Sequence, residues 1–426
     1  MAKTVLPSGV RIITEREKSV RSAAFGIWVN VGSRDESLKT AGASHFLEHL
    51  LFKGTKTRSA LEISSSIEAV GGDTNAFTDK EYTCFYARVI DKDLPLAVDV
   101  ICDLITSSIV KPADVDAERN VVLEEIAMRD DDPSSLIHDV FLESYFGASS
   151  ALGRPILGSV KSIKNMSRET VFNYYREKYQ PKDLVVSVAG NIKHRQVVKM
   201  VATALSKDGF LNSNSAAKPV NRSDTKTKIV GVGKVSLLYR KSEQAHLIYG
   251  VPGVARNDKR RFALSVFAAA LGGGMSSRMF QEIREKRGLA YSVYSYPQKF
   301  AGAGVLTFYV GCKPHKAYEV AALISEILNE VAKTGLTSEE IVRAKGSVSG
   351  ALVLSQESSG SRMHRIGKAE LVSGKVLSFD EILKEIAAVT PEQIQEIARQ
   401  SISVSPTLSI VGPLSSKTKF ERLIRG

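Results

Sequence analysis

Hydrophobic and polar positions along the chain alternate in short runs separated by longer amphipathic stretches, a pattern typical of strands and helices in turn. Phe25 to Val31 alternates as a strand, and residues 41–53, AGASHFLEHLLFK, carry apolar residues at helical spacing. We expect Ser44 or an adjacent small residue to begin this helix and Gly54 to end it. These elements predict an α+β fold in which helices cover one face of each sheet.

The order of these elements repeats once along the chain. Residues 84–104, CFYARVIDKDLPLAVDVICDL, and residues 307–328, TFYVGCKPHKAYEVAALISEIL, each predict an alternating strand, a polar turn and an amphipathic helix. Residues 183–192 and 407–414 form a second matching pair, about 220 residues apart. We therefore expect two duplicated halves, each a largely antiparallel sheet packed with helices.

A polar segment separates the two halves. Residues 208–228 are rich in Asn, Ser, Lys and Thr and poor in large apolar side chains, as linkers are. We expect a first half at 1–212, a linker at 213–226 and a second half at 227–426.

Composition narrows the class of protein. The chain has 426 residues, 43% hydrophobic and 24% charged, as is ordinary for a soluble globular protein. No apolar run approaches the ~20 residues that span a bilayer, and the N-terminus has no signal-peptide core. Three widely spaced cysteines (Cys84, Cys102 and Cys312) fit buried thiols in a reducing cytoplasm. The net charge of +12 is spread along the chain, so we expect neither a nucleic-acid site nor a membrane surface as partner.

The candidate chemistry lies in the predicted helix, at His45-Phe46-Leu47-Glu48-His49. His45 and His49 are four residues apart and project from one helix face, where both imidazoles can reach one zinc ion. Glu48 borders that face, and a carboxylate there can deprotonate a metal-bound water. The order is H-x-x-E-H, the reverse of H-E-x-x-H. The alternative is a pair of surface histidines, but the apolar flanks predict a buried helix whose polar groups need partners.

A zinc site of this kind needs a third protein ligand. Residues 118–125, ERNVVLEE, offer Glu118 and Glu125 on one helix face and Glu124 about 100° round the helix from Glu125. Spacing alone leaves all three glutamates open, and an exposed acidic helix is the alternative.

These segments resemble the inverted-zincin peptidases of the pitrilysin/insulinase class, and most of all bacterial relatives of the β subunit of the mitochondrial processing peptidase. The resemblance covers nearly the whole chain and is carried by HFLEHLLFKGT, GGDTNAFTDKEYTCFYARV, ERNVVLEEI and LGGGMSSRMFQEIREKRGLAYSVYS. It implies one Zn²⁺ per chain, held by His45, His49 and Glu125. It also implies Glu48 as the general base and Glu118 as a carboxylate that orients a ligand histidine.

The resemblance also implies where the peptide binds. Asn75, Ala76 and Phe77 fall in the family's substrate-binding edge strand, which would take an extended peptide by strand addition. The residues alone predict an ordinary β-hairpin. Arg287 and Tyr291 match the family's Arg and Tyr that face the zinc site, with Tyr291 as a donor to the oxyanion. The residues alone predict an arginine at a helix end and a strand tyrosine.

The second half has no H-x-x-E-H, and residues 344–350, AKGSVSG, stand where the first half has its glutamates. Only the first half is therefore expected to bind zinc. The resemblance implies a clamshell in which this degenerate half closes over the site and encloses a central cavity.

The sequence thus predicts a zinc-dependent endopeptidase that hydrolyses extended or unfolded peptides in a bacterial cytoplasm. A homodimer is implied by the resemblance. The alternative function is a non-catalytic scaffold subunit of the same fold, a class that usually lacks part of the metal set present here. Asp130-Asp131-Asp132 predicts attraction of basic substrate residues, with a helix end and N-cap before Pro133 as the alternative.

Overall fold

The computed structural model describes residues 1–214, 222, 227 and 229–425, so the predicted linker falls for the most part outside the described residues. The strands are β1 Ala2–Val5, β2 Arg11–Arg16, β3 Ser22–Val29, β4 Asp73–Thr78, β5 Thr83–Ile90, β6 Leu184–Gly190, β7 Val235–Tyr239, β8 Ala245–Pro252, β9 Ala290–Phe300, β10 Ala303–Cys312 and β11 Thr407–Gly412. The helices are α1 Ala43–Leu51, α2 Ala60–Glu68, α3 Leu94–Ser107, α4 Pro112–Asp131, α5 Pro133–Phe146, α6 Val160–Asn165, α7 Arg168–Lys178, α8 His194–Leu205, α9 Arg261–Gly272, α10 Ala317–Thr334, α11 Ser338–Ser355, α12 Ser359–Ser373, α13 Phe379–Ala387, α14 Pro391–Ser401 and α15 Thr418–Arg425. A π-helical segment, Phe280–Glu285, and short 3₁₀ helices complete the described elements.

Two sheets share one strand topology. The first has the order β1-β2-β6-β3-β5-β4, and the second has the order β7-β11-β8-β10-β9. In each sheet one pair is parallel, β2 with β6 and β7 with β11, and the other pairs are antiparallel. Apart from β1, the strands correspond one to one. The predicted α+β fold of two similar halves is therefore confirmed.

The chain forms two compact units that differ from the sequence halves at two segments. The first unit comprises Met1–Ile126, Pro155–Arg222 and Leu354–Val376, and the second comprises Ala127–Arg154, Ser223–Val353 and Leu377–Gly426. Helix α12, from the second half of the sequence, packs on β3 and β6 of the first unit. Helix α5, from the first half, packs on β11 and β8 of the second unit. The contiguous boundaries predicted at 212 and 227 miss this exchange, because the local pattern of a helix does not show which sheet it covers.

Close contact between α12 and the first sheet depends on glycine. A Cβ on Gly367 would lie 2.1 Å from Trp28 Nε1 and 2.5 Å from Ser187 Oγ, and a Cβ on Gly26 would lie 2.5 Å from Met363 Sδ. The indole N–H of Trp28 donates to Ser187 Oγ at 2.8 Å in this contact. The missing side chains therefore let the helix backbone approach the strands.

The opposite face of the first sheet carries the main core of that unit and positions α1. Helix α3 packs on β3 and β5, and α1 packs beside β4 and α7.

The three cysteines are buried and free, as predicted. Among the described residues, no helix combines the length and apolarity needed to cross a bilayer.

Candidate metal centre

Helix α1 is held at its first turn by a carboxylate. It begins after Gly42, whose φ of +92° is a backbone conformation that favours glycine. Glu36 accepts hydrogen bonds from the backbone N–H groups of Gly42 at 2.7 Å and Ser44 at 2.8 Å. A negative charge at a helix N-terminus is favourable, so this contact fixes the start of the helix. The helix begins at Ala43, the small residue adjacent to the predicted Ser44, with Gly42 as its N-cap, and it ends at Leu51, before the predicted Gly54.

The apolar face of α1 is completely buried, which leaves the polar residues on one side. Phe46, Leu47, Leu50 and Leu51 are 0% exposed. His45, Glu48 and His49 lie on the remaining face and are half-buried. Burial of four apolar side chains therefore aims the H-x-x-E-H residues in one direction.

Helix α4 brings glutamates to the same place. Glu118 and Glu125 are seven residues apart and share a helix face, whereas Glu124 is exposed. Arg119 anchors the helix by donating hydrogen bonds to the backbone carbonyls of Ile163 at 2.5 Å and Met166 at 2.8 Å. Of the three glutamates that spacing left open as zinc ligands, Glu124 is therefore the least suited, because its side chain is exposed.

Three side chains converge on a single point between the two helices. His45 Nε2 lies 3.5 Å from Glu125 Oε2, and His49 Nε2 lies 3.5 Å from Glu125 Oε1. One potential ligand atom from each of the three residues lies within 4.8 Å of the others. Two ligand atoms bound at 2.0–2.1 Å to a tetrahedral zinc are about 3.4 Å apart, so the observed separations fit that ion.

An unsatisfied polar atom supports the same interpretation. Glu125 Oε2, one of the converging atoms, is buried and has no hydrogen-bond partner among the described residues. Burial, and secondarily the neighbouring His49, lowers the pKa of His45 to about 4, so its imidazole is neutral near pH 7. A neutral imidazole is the form that binds a metal. Two imidazole nitrogens and a carboxylate are a donor set typical of zinc, and the residues present therefore fit the ion.

Glu118 contacts His49, one of the candidate metal ligands. Its side chain is buried, and its Oε2 accepts a hydrogen bond from His49 Nδ1 at 3.1 Å. Its other oxygen, Oε1, lies 2.6 Å from Lys53 Nζ. A carboxylate on Nδ1 fixes the tautomer of the ring and turns Nε2 toward Glu125. Sequence reasoning missed Lys53, which lies in the turn just after α1, four residues beyond His49.

Glu48 is not part of this donor cluster and lies beside the end of β4. Thr78 Oγ1 donates a hydrogen bond of 2.6 Å to Glu48 Oε2. Burial raises the pKa of Glu48, and the Thr78 hydroxyl opposes that shift. A carboxyl group with a raised pKa is a better proton acceptor near neutral pH. Thr78 was also missed, because nothing local in the sequence links a strand residue to a helix 30 positions earlier.

The predicted peptide-binding residues lie on a sheet edge. Among the described residues, strand β4 pairs only with β5, so no described strand pairs with its other side. Asn75 is exposed, and its Oδ1 accepts a hydrogen bond from the Ala76 N–H at 2.8 Å. Phe77 lies on the face toward α12, with its ring centroid 5.8 Å from Trp28 and 5.5 Å from His364. The open edge is the geometry that strand addition requires.

Arg287 and Tyr291 belong to the second unit and are described within it. Arg287 donates hydrogen bonds to the backbone carbonyl of Glu282, at 2.9 Å, and to its carboxylate. Tyr291 is 72% exposed at the start of the edge strand β9, with the guanidinium of Arg284 4.5 Å from its ring centroid. Both side chains therefore lie on the surface of that unit.

Two residues of the acidic triplet have partners within the chain. Asp132 is the N-cap of α5 and accepts a hydrogen bond from the Ser134 N–H at 3.0 Å. Asp130 pairs with Arg129 at 2.7 Å. These contacts favour the structural interpretation of Asp130-Asp131-Asp132 over attraction of basic peptides.

Comparisons with known proteins cover nearly the whole chain. Residues 11–159 match the profile of the insulinase family, peptidase family M16, and residues 165–348 match the profile described as the peptidase M16 inactive domain. An uncharacterized zinc protease of Streptomyces coelicolor is 52% identical over 97% of this chain and 90% of its own length. An uncharacterized zinc protease of Mycobacterium leprae is 45% identical over 100% of this chain and 94% of its own.

A solved structure shows the same fold. The crystal structure of a protease from Helicobacter pylori has a TM-score of 0.87 and 21% identity, covering 96% of this chain and 98% of that one. At that identity the likeness concerns the fold alone. The two profiles and the full-length relatives go further: this chain belongs to the insulinase family of peptidases, peptidase family M16.

Proposed function

We propose that the chain is a zinc-dependent endopeptidase that hydrolyses extended or unfolded peptides, with one Zn²⁺ held by His45, His49 and Glu125. One observation carries the proposal. Donor atoms of these three residues converge at separations that suit one tetrahedral zinc ion, and one of them, the buried Glu125 Oε2, has no hydrogen-bond partner among the described residues. The names of the Streptomyces and Mycobacterium relatives, zinc proteases, agree with it.

Glu48 is the proposed general base. A zinc ion at this position would lower the pKa of a water molecule toward ~7 and polarise the scissile carbonyl. Glu48 takes a proton from the attacking water and passes it to the leaving amide nitrogen, so the same carboxyl group serves first as base and then as acid. Its partial burial suits both roles, because burial raises its pKa toward the working pH.

The open side of β4 is the proposed peptide site. An extended peptide that adds to this edge would form backbone hydrogen bonds at Asn75, Ala76 and Phe77, so binding would depend little on the side chains of the peptide. The last residue of the same strand, Thr78, contacts Glu48. A peptide aligned on β4 would therefore run past the proposed base. This arrangement supports unfolded or extended substrates over folded ones.

The second unit supplies the remaining proposed groups. Tyr291 is exposed, and no described residue forms a hydrogen bond with its hydroxyl, which suits a donor to the oxyanion of the tetrahedral intermediate. Arg287 would hold a substrate carbonyl. The enclosed cavity, the homodimer and the cytoplasmic location stay predictions. A preference for basic peptides has little support, since Asp130 and Asp132 have intramolecular partners.

A non-catalytic scaffold of the same fold is the alternative. A scaffold needs neither a complete donor set nor a carboxylate beside it, yet both are present on α1 and α4. Among the described residues this is the one cluster of three or more His, Cys, Asp or Glu side chains arranged to hold a metal. The completeness of the site therefore favours the enzyme.

The test compares wild type, Glu48→Gln and Glu124→Gln for zinc content and for cleavage of a fluorogenic peptide. Glu124 is exposed on the same helix as Glu125 and controls for the loss of a negative charge. We expect one zinc per chain in all three proteins and a kcat lower by on the order of 100-fold or more in Glu48→Gln alone. Equal cleavage by wild type and Glu48→Gln would exclude Glu48 as the base. A wild type that binds no zinc would exclude the metal site.

A further inference from the structure

The carboxylate of Glu48 is held by a residue from a different element. Glu48 lies on α1, and the hydroxyl of Thr78, the last residue of β4, donates to its Oε2 at 2.6 Å. No described residue donates a hydrogen bond to the other oxygen, Oε1. One oxygen of the base is thus tied to the sheet edge, while the other remains available to accept a proton.

This contact restricts a side chain that is otherwise flexible. A free glutamate samples many rotamers, and fixing one of them costs conformational entropy. Threonine is well suited to hold it, because branching at Cβ limits χ1 on a strand. A hydrogen bond to an ionised group is stronger than one between neutral groups, so a single donor can select one carboxylate orientation.

We propose that Thr78 is a positioning residue for the general base: its hydroxyl sets the orientation of the Glu48 carboxylate relative to a peptide aligned on β4. The inference rests on the proposed function. It goes beyond that function by making the peptide-binding strand itself the support of the base. Backbone pairing and proton transfer then depend on the same six-residue strand, Asp73–Thr78.

Because Thr78 acts through Glu48, its removal should affect turnover more than binding. Misplacing a reacting group by about 1 Å can lower a rate on the order of 100-fold. The zinc ligands lie on α1 and α4, and Thr78 contacts none of them through a described hydrogen bond. Zinc affinity should therefore be unchanged, which separates a positioning role from general damage to the site.

The experiment compares Thr78→Val, Thr78→Ser and the control Thr106→Val. Valine keeps the shape of threonine and removes the hydroxyl, whereas serine keeps the hydroxyl. Thr106 is a half-buried threonine of the same unit whose hydroxyl donates to the Cys102 carbonyl at 3.0 Å, remote in sequence from α1 and β4. For each protein, kcat and KM on the fluorogenic peptide, the zinc dissociation constant and the thermal midpoint are measured.

We expect Thr78→Val to lower kcat about 10- to 100-fold with KM changed less than about threefold and zinc affinity retained. Thr78→Ser should recover kcat to within about threefold of wild type. Equal kcat for Thr78→Val and wild type, or equal losses in the valine and serine variants, would overturn the inference. So would an equal loss in Thr106→Val.

A structural measurement keeps this test independent of the proposed activity. In a crystal structure of Thr78→Val the Glu48 carboxylate should leave its wild-type rotamer, and in Thr78→Ser it should stay. An unchanged Glu48 rotamer in Thr78→Val contradicts the inference even where the peptidase itself is active. If wild type cleaves no peptide, the proposed function fails, and the Glu48 rotamer in the two variants still decides whether Thr78 positions that carboxylate.

Discussion

Replacing Glu118 with glutamine should weaken zinc binding, because Glu118 holds His49, although the three proposed ligands themselves are unchanged. The two carboxylate oxygens of Glu118 serve two donors, His49 Nδ1 at 3.1 Å and Lys53 Nζ at 2.6 Å. Glutamine has a single acceptor oxygen, so its NH₂ group must face one of the two donors. The glutamine oxygen should accept from the positively charged Lys53, so the glutamine NH₂ group faces His49 Nδ1–H, which then has no acceptor.

The magnitude follows from the burial of this contact. Glu118 is 6% exposed, so water cannot replace the lost acceptor, and an unsatisfied buried donor costs about 1–3 kcal/mol. Since 1.4 kcal/mol corresponds to a tenfold change in an equilibrium constant, the zinc dissociation constant should rise on the order of 10- to 100-fold.

The assay is competition for zinc between the metal-free protein and a chromophoric chelator at pH 7.5. Glu124→Gln removes an equivalent charge from the exposed side of α4 and should leave the dissociation constant within about twofold of wild type. A second change, Lys53→Met in the Glu118→Gln background, frees the amide oxygen to accept from His49 and should restore part of the affinity. Equal zinc affinity in Glu118→Gln and Glu124→Gln would refute the reasoning. A double variant that binds zinc more weakly than Glu118→Gln would refute the claim that the glutamine oxygen faces Lys53.

Three further outcomes are expected. Burial lowers the pKa of His45 to about 4, below the 6.5 of an exposed histidine, so the metal-free protein should keep its full free energy of unfolding above pH 6.5 and lose up to about 3 kcal/mol of it as the pH falls to 4. Urea unfolding of wild type and of His45→Gln as a function of pH measures this loss, and parallel pH curves for the two proteins would disprove it. Gly367→Ala should unfold the protein or lower its thermal midpoint by many degrees, because the new Cβ would lie 2.1 Å from Trp28 Nε1, whereas Gly350→Ala, with open space around its Cβ, should raise the midpoint slightly. Asp132→Ala should cost about 1 kcal/mol by removing the N-cap of α5 and leave the relative cleavage of arginine-rich and neutral peptides unchanged; a selective loss on arginine-rich peptides would restore the electrostatic role of the acidic triplet.

The parts of the fold that could be predicted are those whose signal is local. Helix α1 follows from apolar spacing, and the starts of α7 and α14 follow from Ser167 and Thr390, each a polar N-cap directly before a helical pattern. The duplication was visible because β5 and β10 keep one order of residues, Phe85-Tyr86 and Phe308-Tyr309. The family predicted from the motifs is confirmed by the comparisons.

The parts that could not be predicted depend on contacts between distant residues. Spacing along α4 did not separate Glu118, Glu124 and Glu125, because all three can occupy a partly buried helix. The structure separates them by what each faces: Nδ1 of His49 for Glu118, solvent for Glu124 and the two Nε2 atoms for Glu125. The assignment of Glu125 as a zinc ligand remains a proposal that the zinc titration can test.

Because α12 lies late in the sequence but packs on the first sheet, the first unit can be completed only late in synthesis. Strand β3 leaves the ribosome early, but the helix that covers it comes much later: Ser22 and Ser359, whose hydroxyls lie 3.0 Å apart, are separated by 337 residues. Until α12 is made, the apolar face with Ile13, Trp28 and Val185 lacks the helix that packs on it, and a nascent chain in that state is prone to aggregate. A fragment of residues 1–212 should therefore be poorly soluble alone and gain solubility when a peptide of residues 359–373 is added; a freely soluble fragment that ignores the peptide would contradict this. The first unit, which carries the proposed zinc site, is thus completed only when nearly the entire chain has been made, so the proposed protease stays unfinished while it is being synthesised.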